Sequence, residues 1–355
     1  VRRKRTTIAV VIPSYKVKDH ILGVIEKIGP EVSQIYVVDD CCPVKSGDFV
    51  RERCQDARVR VEYHAQNQGV GGAVMTGYKA AIANGADVIV KIDGDGQMNP
   101  ALLPYFVLPI IEGWADYTKG NRFFDLTHIR RMPVARLIGN AGLSFMTKLS
   151  TGYWNIFDPT NGYTAISAQV ASHLPLDRIS RRYFFETDML FRLNTFRAVV
   201  ADIPMDAIYG DEKSNLKISK VLFEFSGRHA SNFCKRIFYN YFLRDVTAAT
   251  FELVIGTLLL LFGLGFGIEH WISAISSKIS TPLGTIMVAA LPILIGLQLV
   301  LGFLNYDVAS TPTRPIGRVL PRTLDGHLAV MDVIEPAEGT TDGTTDGSTN
   351  HPTSS

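Results

Sequence analysis

Ala86-Asp87-Val88-Ile89-Val90-Lys91-Ile92-Asp93-Gly94-Asp95 runs from an apolar stretch straight into two carboxylates one residue apart. Residues 86–92 predict a buried strand. The strand delivers Asp93 and Asp95 to a turn, and Gln97 follows two residues later. Hard oxygen donors at a strand end suit Mg2+ or Mn2+ carrying substrate phosphates. An ion held there can neutralise a leaving diphosphate. Taken alone, Asp-Gly-Asp-Gly reads equally well as a polar turn after a strand. Its neighbours along the chain decide between the two.

Upstream, Ile8 to Ile12 is a short apolar run ending at Pro13-Ser14-Tyr15, a first buried strand. Ile21, Leu22, Ile25 and Ile28 have helical spacing between His20 and Ile28. Ile35 to Val38 is a second strand, closed by Asp39-Asp40. A short helix over Phe49 to Cys54 and a third strand over Val59 to Tyr63 follow. Gly72 to Asn84 reads as a helix with Gly85 at its C-terminal end. Strands alternating with helices imply parallel βαβ units. Ligands of such sheets bind beyond the carboxyl ends of the strands, where both acidic clusters fall.

The 355 residues allow roughly two domains. A formal net charge of +2 supplies no global basic field, so nucleic acid is not an expected partner. Hydrophobic residues make up 46% of the chain, high for a soluble α/β protein, and the excess lies near the C-terminus. Ala248 to Ile268 and Leu283 to Leu304 are each about 20 residues, the length of a helix that crosses a bilayer. A buried helix of a soluble protein is the alternative for either one. Together, joined by a short loop, they predict a transmembrane hairpin. Lys235, Arg236 and Arg244 precede it, Arg314, Arg318 and Arg322 follow, and the loop has only Lys278. That asymmetry places both ends on the cytoplasmic side. Before the hairpin, Lys220 to Asp245 is amphipathic, with Phe233, Ile237 and Tyr241 on one stripe and Phe238 and Phe242 beside it. Helices lying in the membrane interface fit this pattern, and a helix covering a soluble core is the alternative. The basic start, Val1-Arg2-Arg3-Lys4-Arg5, does not have the form of a signal peptide. Adjacent Cys41-Cys42, with Cys54 and Cys234, lack zinc-site spacing and predict free thiols.

Further segments carry candidate chemistry. Asp39-Asp40 can accept from a nucleobase or ribose hydroxyl, or cap the following turn. Asn67-Gln68-Gly69-Val70-Gly71-Gly72 is glycine-rich, but it has the wrong glycine spacing and follows the wrong strand for a dinucleotide fingerprint. That argues against a nicotinamide-dependent dehydrogenase. Glu186 and Asp188 sit between apolar residues in Phe184 to Leu190, as candidate catalytic or orienting acids, with helix capping the alternative. Lys119, Arg122, Arg130, Arg131 and Arg136 form a basic cluster suited to phosphate or simply solvated. Asp158-Pro159-Thr160-Asn161-Gly162-Tyr163 is turn-rich, with no role readable from spacing.

In this order, Val11-Ile12-Pro13-Ser14-Tyr15, Val37-Val38-Asp39-Asp40, Asn67-Gln68-Gly69, Asp93 to Gln97, Gly120-Asn121-Arg122-Phe123, Asp158 to Tyr163 and Glu186-Thr187-Asp188 resemble the family 2 inverting glycosyltransferases of GT-A fold. Within them, the chain is similar to the branch that makes polyprenyl-phosphate sugars. The resemblance covers about Ile8 to Leu222. It implies an α/β fold, a nucleotide-sugar-binding, mostly parallel sheet with helices on both faces. The catalytic domain is then 1–217, the interface helices 218–246, the hairpin 247–306, and the tail 307–355, disordered after about 325. By position, the resemblance assigns the donor nucleotide to Pro13, Tyr15, Asp39, Asp40, Asn67, Gly69 and Asp93. It assigns a Mg2+ or Mn2+ ion to Asp93, Asp95 and Gln97, and the acceptor phosphate to Arg122, Arg136, Asn140 and Lys213. Asp188, with Asp95, is the implied catalytic acid. Cys41-Cys42 replaces the family's usual small pair after the aspartates, and Tyr209-Gly210-Asp211-Glu212-Lys213 departs from its late basic motif.

The implied reaction is inverting, metal-dependent transfer of one hexose from a nucleotide sugar to a polyprenyl phosphate at the cytoplasmic membrane face. UDP-glucose is favoured over GDP-mannose or UDP-GlcNAc. A phosphate acceptor has a second pKa near 6, by analogy with phosphorylated side chains, so Asp188 is read as an orienting group or modest base. The rivals are a transferase of the same fold with another lipid or glycan acceptor, and an inactive membrane-tethered sugar-nucleotide-binding scaffold. Packing of the hairpin against copies of itself stays open.

Overall fold

The computed structural model of the protein describes residues 6–124, 134–205 and 218–320, with side chains from 137 and 225 in the helices that open the later two stretches. Val1–Arg318 make up one compact unit. The elements run β1 (Ile8–Ser14), α1 (Ile21–Glu26), β2 (Val32–Asp39), α2 (Ser46–Arg53), β3 (Val59–Tyr63), α3 (Val70–Ala83), β4 (Val88–Lys91), α4 (Leu103–Glu112) and β5 (Tyr117–Asn121). Then follow α5 (Val134–Thr151), β6 (Thr164–Ser167), α6 (Ala168–His173), α7 (Phe185–Thr195), β7 (Val200–Pro204), α8 (Ile218–Phe238), α9 (Ala248–Ser277) and α10 (Leu283–Ala309).

The strands form one sheet in the order β3-β2-β1-β4-β6-β5-β7. β1 pairs in parallel with β2 and β4, and β2 with β3. β6 is antiparallel to both β4 and β5, and β7 returns parallel to β5. Side chains alternate across the strand. Ile8, Val10 and Ile12 of β1 join Val24 and Ile25 of α1 and Leu103 and Phe106 of α4 in one core. Val11 points to the other face, against α3. There Gly77 lets helix and strand close up, since a Cβ would stand 2.8 Å from Val11 Cγ2. The sheet is therefore covered on both faces, as the apolar strands require. The α3 helix ends as its sequence predicts, with Gly85 at φ +73°.

Helices α9 and α10 are long and apolar enough to cross a membrane. They pack closely at small residues: a Cβ on Gly256 would lie 3.0 Å from the Gly296 carbonyl, and one on Gly296 would lie 2.8 Å from the Gly256 carbonyl. Their outer faces, including Leu258, Leu261, Leu294 and Leu301, are exposed.

Helix α8 divides the amphipathic segment differently from its sequence pattern. His229, Asn232, Arg236 and Ile237 are buried, as is Tyr241 in the π-turn Tyr239–Arg244. Phe238, Tyr239, Phe242 and Leu243 are exposed. The Phe233/Ile237/Tyr241 stripe thus packs inward, on Ala249 and Phe303. Arg236, expected as a surface charge, is 1% exposed and pairs with Asp307 of α10 at 2.6 and 3.0 Å. Tyr241 Oη and Trp154 Nε1 donate to the same carboxylate at 2.6 and 3.0 Å. Beyond α10 the chain returns to the sheet, where Asp116 accepts from the Ile316 and Gly317 amides. All four cysteines are free thiols. Arg130, Arg131, the Arg136 side chain, Tyr209 to Lys213 and the tail after 320 lie outside the described residues.

Candidate active site

A cavity of about 550 Å3 opens at the carboxyl ends of β1, β2 and β4. Parallel pairing in register brings Ser14 beside Asp39 and Val11 beside Lys91, so the residues just after each strand share one edge. Pro13 and Tyr15 line the cavity from β1, Asp40 from β2, and Asn67 and Gly69 from the turn into α3. Asp93 and Asp95 line it from β4, and Arg182 and Glu186 from the start of α7. The Ser14 hydroxyl faces this space buried and without a partner among the described residues.

The two aspartates after β2 part company. Asp39 accepts from the Cys42 amide at 2.7 Å and the Gly47 amide at 2.6 Å, so it closes the 40–47 loop and does not line the cavity. Asp40 does line it. Its oxygens accept from the Gln68 and Gly69 amides, each at 2.7 Å, and lie 2.7 Å from His64 Nδ1. Asp40 therefore sets the position of the glycine-rich turn. Asn67 completes the link by donating to the Asp40 carbonyl at 3.1 Å.

Below the metal-type carboxylates sits a buried cation. Lys91 Nζ is 2.8 Å from Asp93 and 3.8 Å from Glu186, and the residue is 1% exposed. Burial favours loss of its proton, but Asp93 and Glu186 outweigh that and hold it above the ordinary lysine value. Burial pushes the Glu186 carboxyl up, while Lys91 and Lys119 pull it down. The 158–163 loop presses on this cluster: a Cβ on Gly162 would lie 2.7 Å from Asp93 Oδ2. Only glycine allows that approach. β5 anchors the loop, because Lys119 donates to the Asn161 carbonyl and Arg122 forks onto Asp158 at 2.8 and 3.0 Å. Asp158 is fully buried. Burial alone would raise its pKa, and Arg122 reverses that and lowers it.

Asp188 is not among the residues that line the cavity. It accepts from the Ser180 amide at 2.8 Å, Arg192 Nε at 3.2 Å and Asn232 Nδ2 at 3.4 Å, tying the 180 loop to α7 and α8. Gln97 is exposed beside Asp95, which accepts from its amide at 3.0 Å. Asn140 is half-buried on α5. Neither Asn140 nor Arg122 lines the cavity.

The donor set fits a hard cation. Asp93, Asp95 and Gln97 offer oxygen ligands, and no group of three or more acidic, histidine or cysteine side chains able to hold an ion occurs among the described residues. An ion at Asp93 and Asp95 would complete its shell with substrate phosphate and water, the habit of Mg2+.

Sequence reasoning gave no role to Lys91, Arg182 or the cavity-lining Lys16 and His20. One signal was available: Lys91 interrupts an apolar strand two residues before Asp93, hence on the same face.

The sequence model of glycosyl transferase family 2 matches residues 9–174, which span β1 to the end of α6. An undecaprenyl-phosphate mannosyltransferase of Micrococcus luteus is 30% identical over 200 residues, 55% of this chain and 81% of that protein. A UDP-N-acetylglucosamine–dolichyl-phosphate N-acetylglucosaminyltransferase of Methanococcus voltae is 29% identical over 216 residues, 57% of this chain and 86% of that protein. Glucosyl-3-phosphoglycerate synthase of Mycobacterium tuberculosis, solved with Mn2+, UDP-glucose and phosphoglyceric acid, is a distant structural likeness. Its TM-score is 0.49 at 19% identity, over 65% of this chain and 79% of that one. The mixed sheet with its acidic carboxyl edge is the GT-A arrangement, and the identity with the Micrococcus protein extends over most of that protein. This chain therefore belongs to glycosyl transferase family 2 and is a glycosyltransferase.

Proposed function

We propose that the protein transfers one hexose from a nucleoside diphosphate sugar to a polyprenyl phosphate, with inversion, at the cytoplasmic face of a membrane. The observation that carries this reading is one chain holding both the acidic carboxyl-edge cavity and a two-helix apolar hairpin. Two relatives whose names specify polyprenyl-phosphate acceptors support it.

The donor's nucleoside lies between Tyr15, Asp40 and Asn67, and its diphosphate lies over Asp93 and Asp95. Asp93, Asp95 and Gln97 would hold a divalent cation, which would supply charge neutralisation to the departing diphosphate. Lys91, itself part of the cavity lining, holds the Asp93 carboxylate in place. The acceptor's phosphate oxygen forms the new bond to the anomeric carbon. The bond from that carbon to the diphosphate oxygen breaks on the opposite face, and its electron pair leaves with the nucleoside diphosphate. A phosphate acceptor is already largely ionised at neutral pH, so no strong base is needed. Arg122, Arg136, Asn140 and Lys213 are the proposed phosphate ligands, with Arg122 exchanging part of its Asp158 pairing for the acceptor.

The α9–α10 hairpin spans the bilayer with both ends on the cytoplasmic side. Removing the buried Arg236 from the count leaves Lys235 and Arg244 before it, Arg314, Arg318 and Arg322 after it, and Lys278 alone between. UDP-glucose is the first donor to test. The experiment supplies the purified protein in detergent with undecaprenyl phosphate, Mn2+ or Mg2+, and a panel of UDP- and GDP-sugars. Nucleoside diphosphate release and lipid product mass are followed. Metal-dependent transfer from one donor is the expected result. Sugar-nucleotide binding without a lipid product would reject the polyprenyl acceptor.

A further inference from the structure

A second cavity, of about 400 Å3, lies where the hairpin leaves the sheet domain, and it shares no lining residue with the first. Arg197 lines it from just beyond α7, and Arg244 from the end of the π-turn before α9. Thr247, the residue that opens α9, Tyr306 and Ser310 at the end of α10, and Asn240, Tyr241 and Asp245 complete the wall.

The cavity brings two positive charges together, and neither is paired with a carboxylate among the described residues. Arg197 donates to the Ser310 carbonyl at 2.9 Å, and Arg244 donates to the Thr195 carbonyl. Asp245 also lines the space, but it pairs with neither arginine. Burial first, and then the neighbouring Arg197 charge, lower the Arg244 pKa. The amino end of α9 adds its own positive field, capped by Thr247, whose side chain accepts from the Thr250 amide while its own amide donates to the Thr250 hydroxyl. Arg197 stands in a left-handed conformation, φ +66°, one residue past the helix cap Phe196, where glycine is the usual occupant.

Beside the cavity the surface is apolar. Phe242, Leu243, Val246 and Phe251 are exposed around the start of α9. Cationic forks at a helix mouth, rimmed by exposed aromatic and aliphatic side chains, match a phosphate whose ester carries acyl chains.

We propose that this cavity binds the phosphate headgroup of an anionic phospholipid. It is a second lipid site at the root of the hairpin, separate from the transfer site. The inference uses the hairpin's place in the bilayer but not the identity of donor or acceptor, so it stands or falls independently of turnover.

The test is native mass spectrometry of the full-length protein released from nanodiscs containing equal phosphatidylglycerol and phosphatidylcholine. The Arg197→Gln, Arg244→Gln and double variants are compared with wild type, and hexose transfer is assayed in parallel. Wild type is expected to retain phosphatidylglycerol over phosphatidylcholine. Each substitution should weaken that retention about tenfold, which corresponds to about 1.4 kcal/mol. The cavity-edge variant Asp95→Asn should retain the lipid normally while losing transfer. Equal retention of the two lipids by wild type overturns the proposal, even if a variant fails to fold. So does unchanged retention in the double variant. Displacement of the lipid by millimolar inorganic phosphate would make this a free-phosphate site, and displacement by undecaprenyl phosphate would make it an acceptor site. Either result also overturns the proposal.

Discussion

Replacing Asp307 by Leu should unseat the hairpin from the sheet domain. The carboxylate receives four hydrogen bonds from three side chains: two from Arg236, one from Tyr241 and one from Trp154. Arg236 is 1% exposed, so after the substitution its charge would remain buried and uncompensated. Breaking one partner of a buried pair costs about 3–5 kcal/mol, more than the pair itself contributes. Each kcal/mol moves the thermal midpoint by roughly 2–4 °C, so the midpoint should fall by roughly 6–20 °C. Arg236→Met alone should cost less, because Asp307 keeps two donors. The double variant Arg236→Met/Asp307→Leu should recover to within about 2 kcal/mol of wild type, since two apolar side chains then meet. The assay is a thermal melt of all four proteins in one detergent, read by intrinsic fluorescence and arranged as a double-mutant cycle. A midpoint for Asp307→Leu within a degree or two of wild type would falsify the reasoning. Strictly additive losses in the double variant would refute it equally.

Other perturbations separate roles within the sheet domain. Glu186→Gln should lower turnover at least about tenfold with little change in melting, since the carboxylate lines the cavity beside Lys91. Asp188→Asn should instead lower the midpoint and keep most activity, and the opposite pattern would return the catalytic role to Asp188. His229 is 4% exposed, and burial pulls its pKa down to about 4. The unfolded chain, with an ordinary value near 6.5, therefore binds the proton first. Stability should be full above about pH 6.5 and fall by up to about 3 kcal/mol as pH approaches 4. Melts of His229→Leu should lack that slope, and an unchanged slope would remove the assignment. Gly77→Ala gains about 1 kcal/mol of helix propensity but forces a methyl against Val11, an overpacking cost of about 1–3 kcal/mol. A net loss of stability, relieved by Val11→Ala, is the expected melt result.

Much of the first half of the fold was legible because its strands are buried on both faces and read as continuous apolar runs. β3 lies over the residues its alternation marks out, and β1, β2 and β4 differ from the apolar runs by a few residues at their ends. β6 was not legible. Thr164–Ser167 is four residues inside a turn-rich stretch, and its antiparallel seat between β4 and β5 is decided by distant partners. The paired acids show a sharper limit. Asp39 and Asp40 are adjacent at a strand end, so they point in opposite directions, and the sequence does not say which meets the cavity. Glu186 and Asp188 are two residues apart on a helix, about 200° around its axis, so at most one can face the donor. Arg236 was misplaced for a different reason. A buried, paired arginine and a surface arginine on an amphipathic helix have the same spacing, and only the acid 71 residues later distinguishes them.

Helix α7 has Glu186 in its first turn and Arg197 just past its last. About three helical turns, roughly 16 Å, separate the two positions. The proposed transfer site and the root of the apolar hairpin are thus joined by a rigid spacer whose length is counted in residues. Adding one residue to that spacer would lengthen it by only about 1.5 Å but would swing one end about 100° relative to the other. Rotational phase, more than distance, is what α7 keeps constant between the carboxyl-edge cavity and the base of the hairpin.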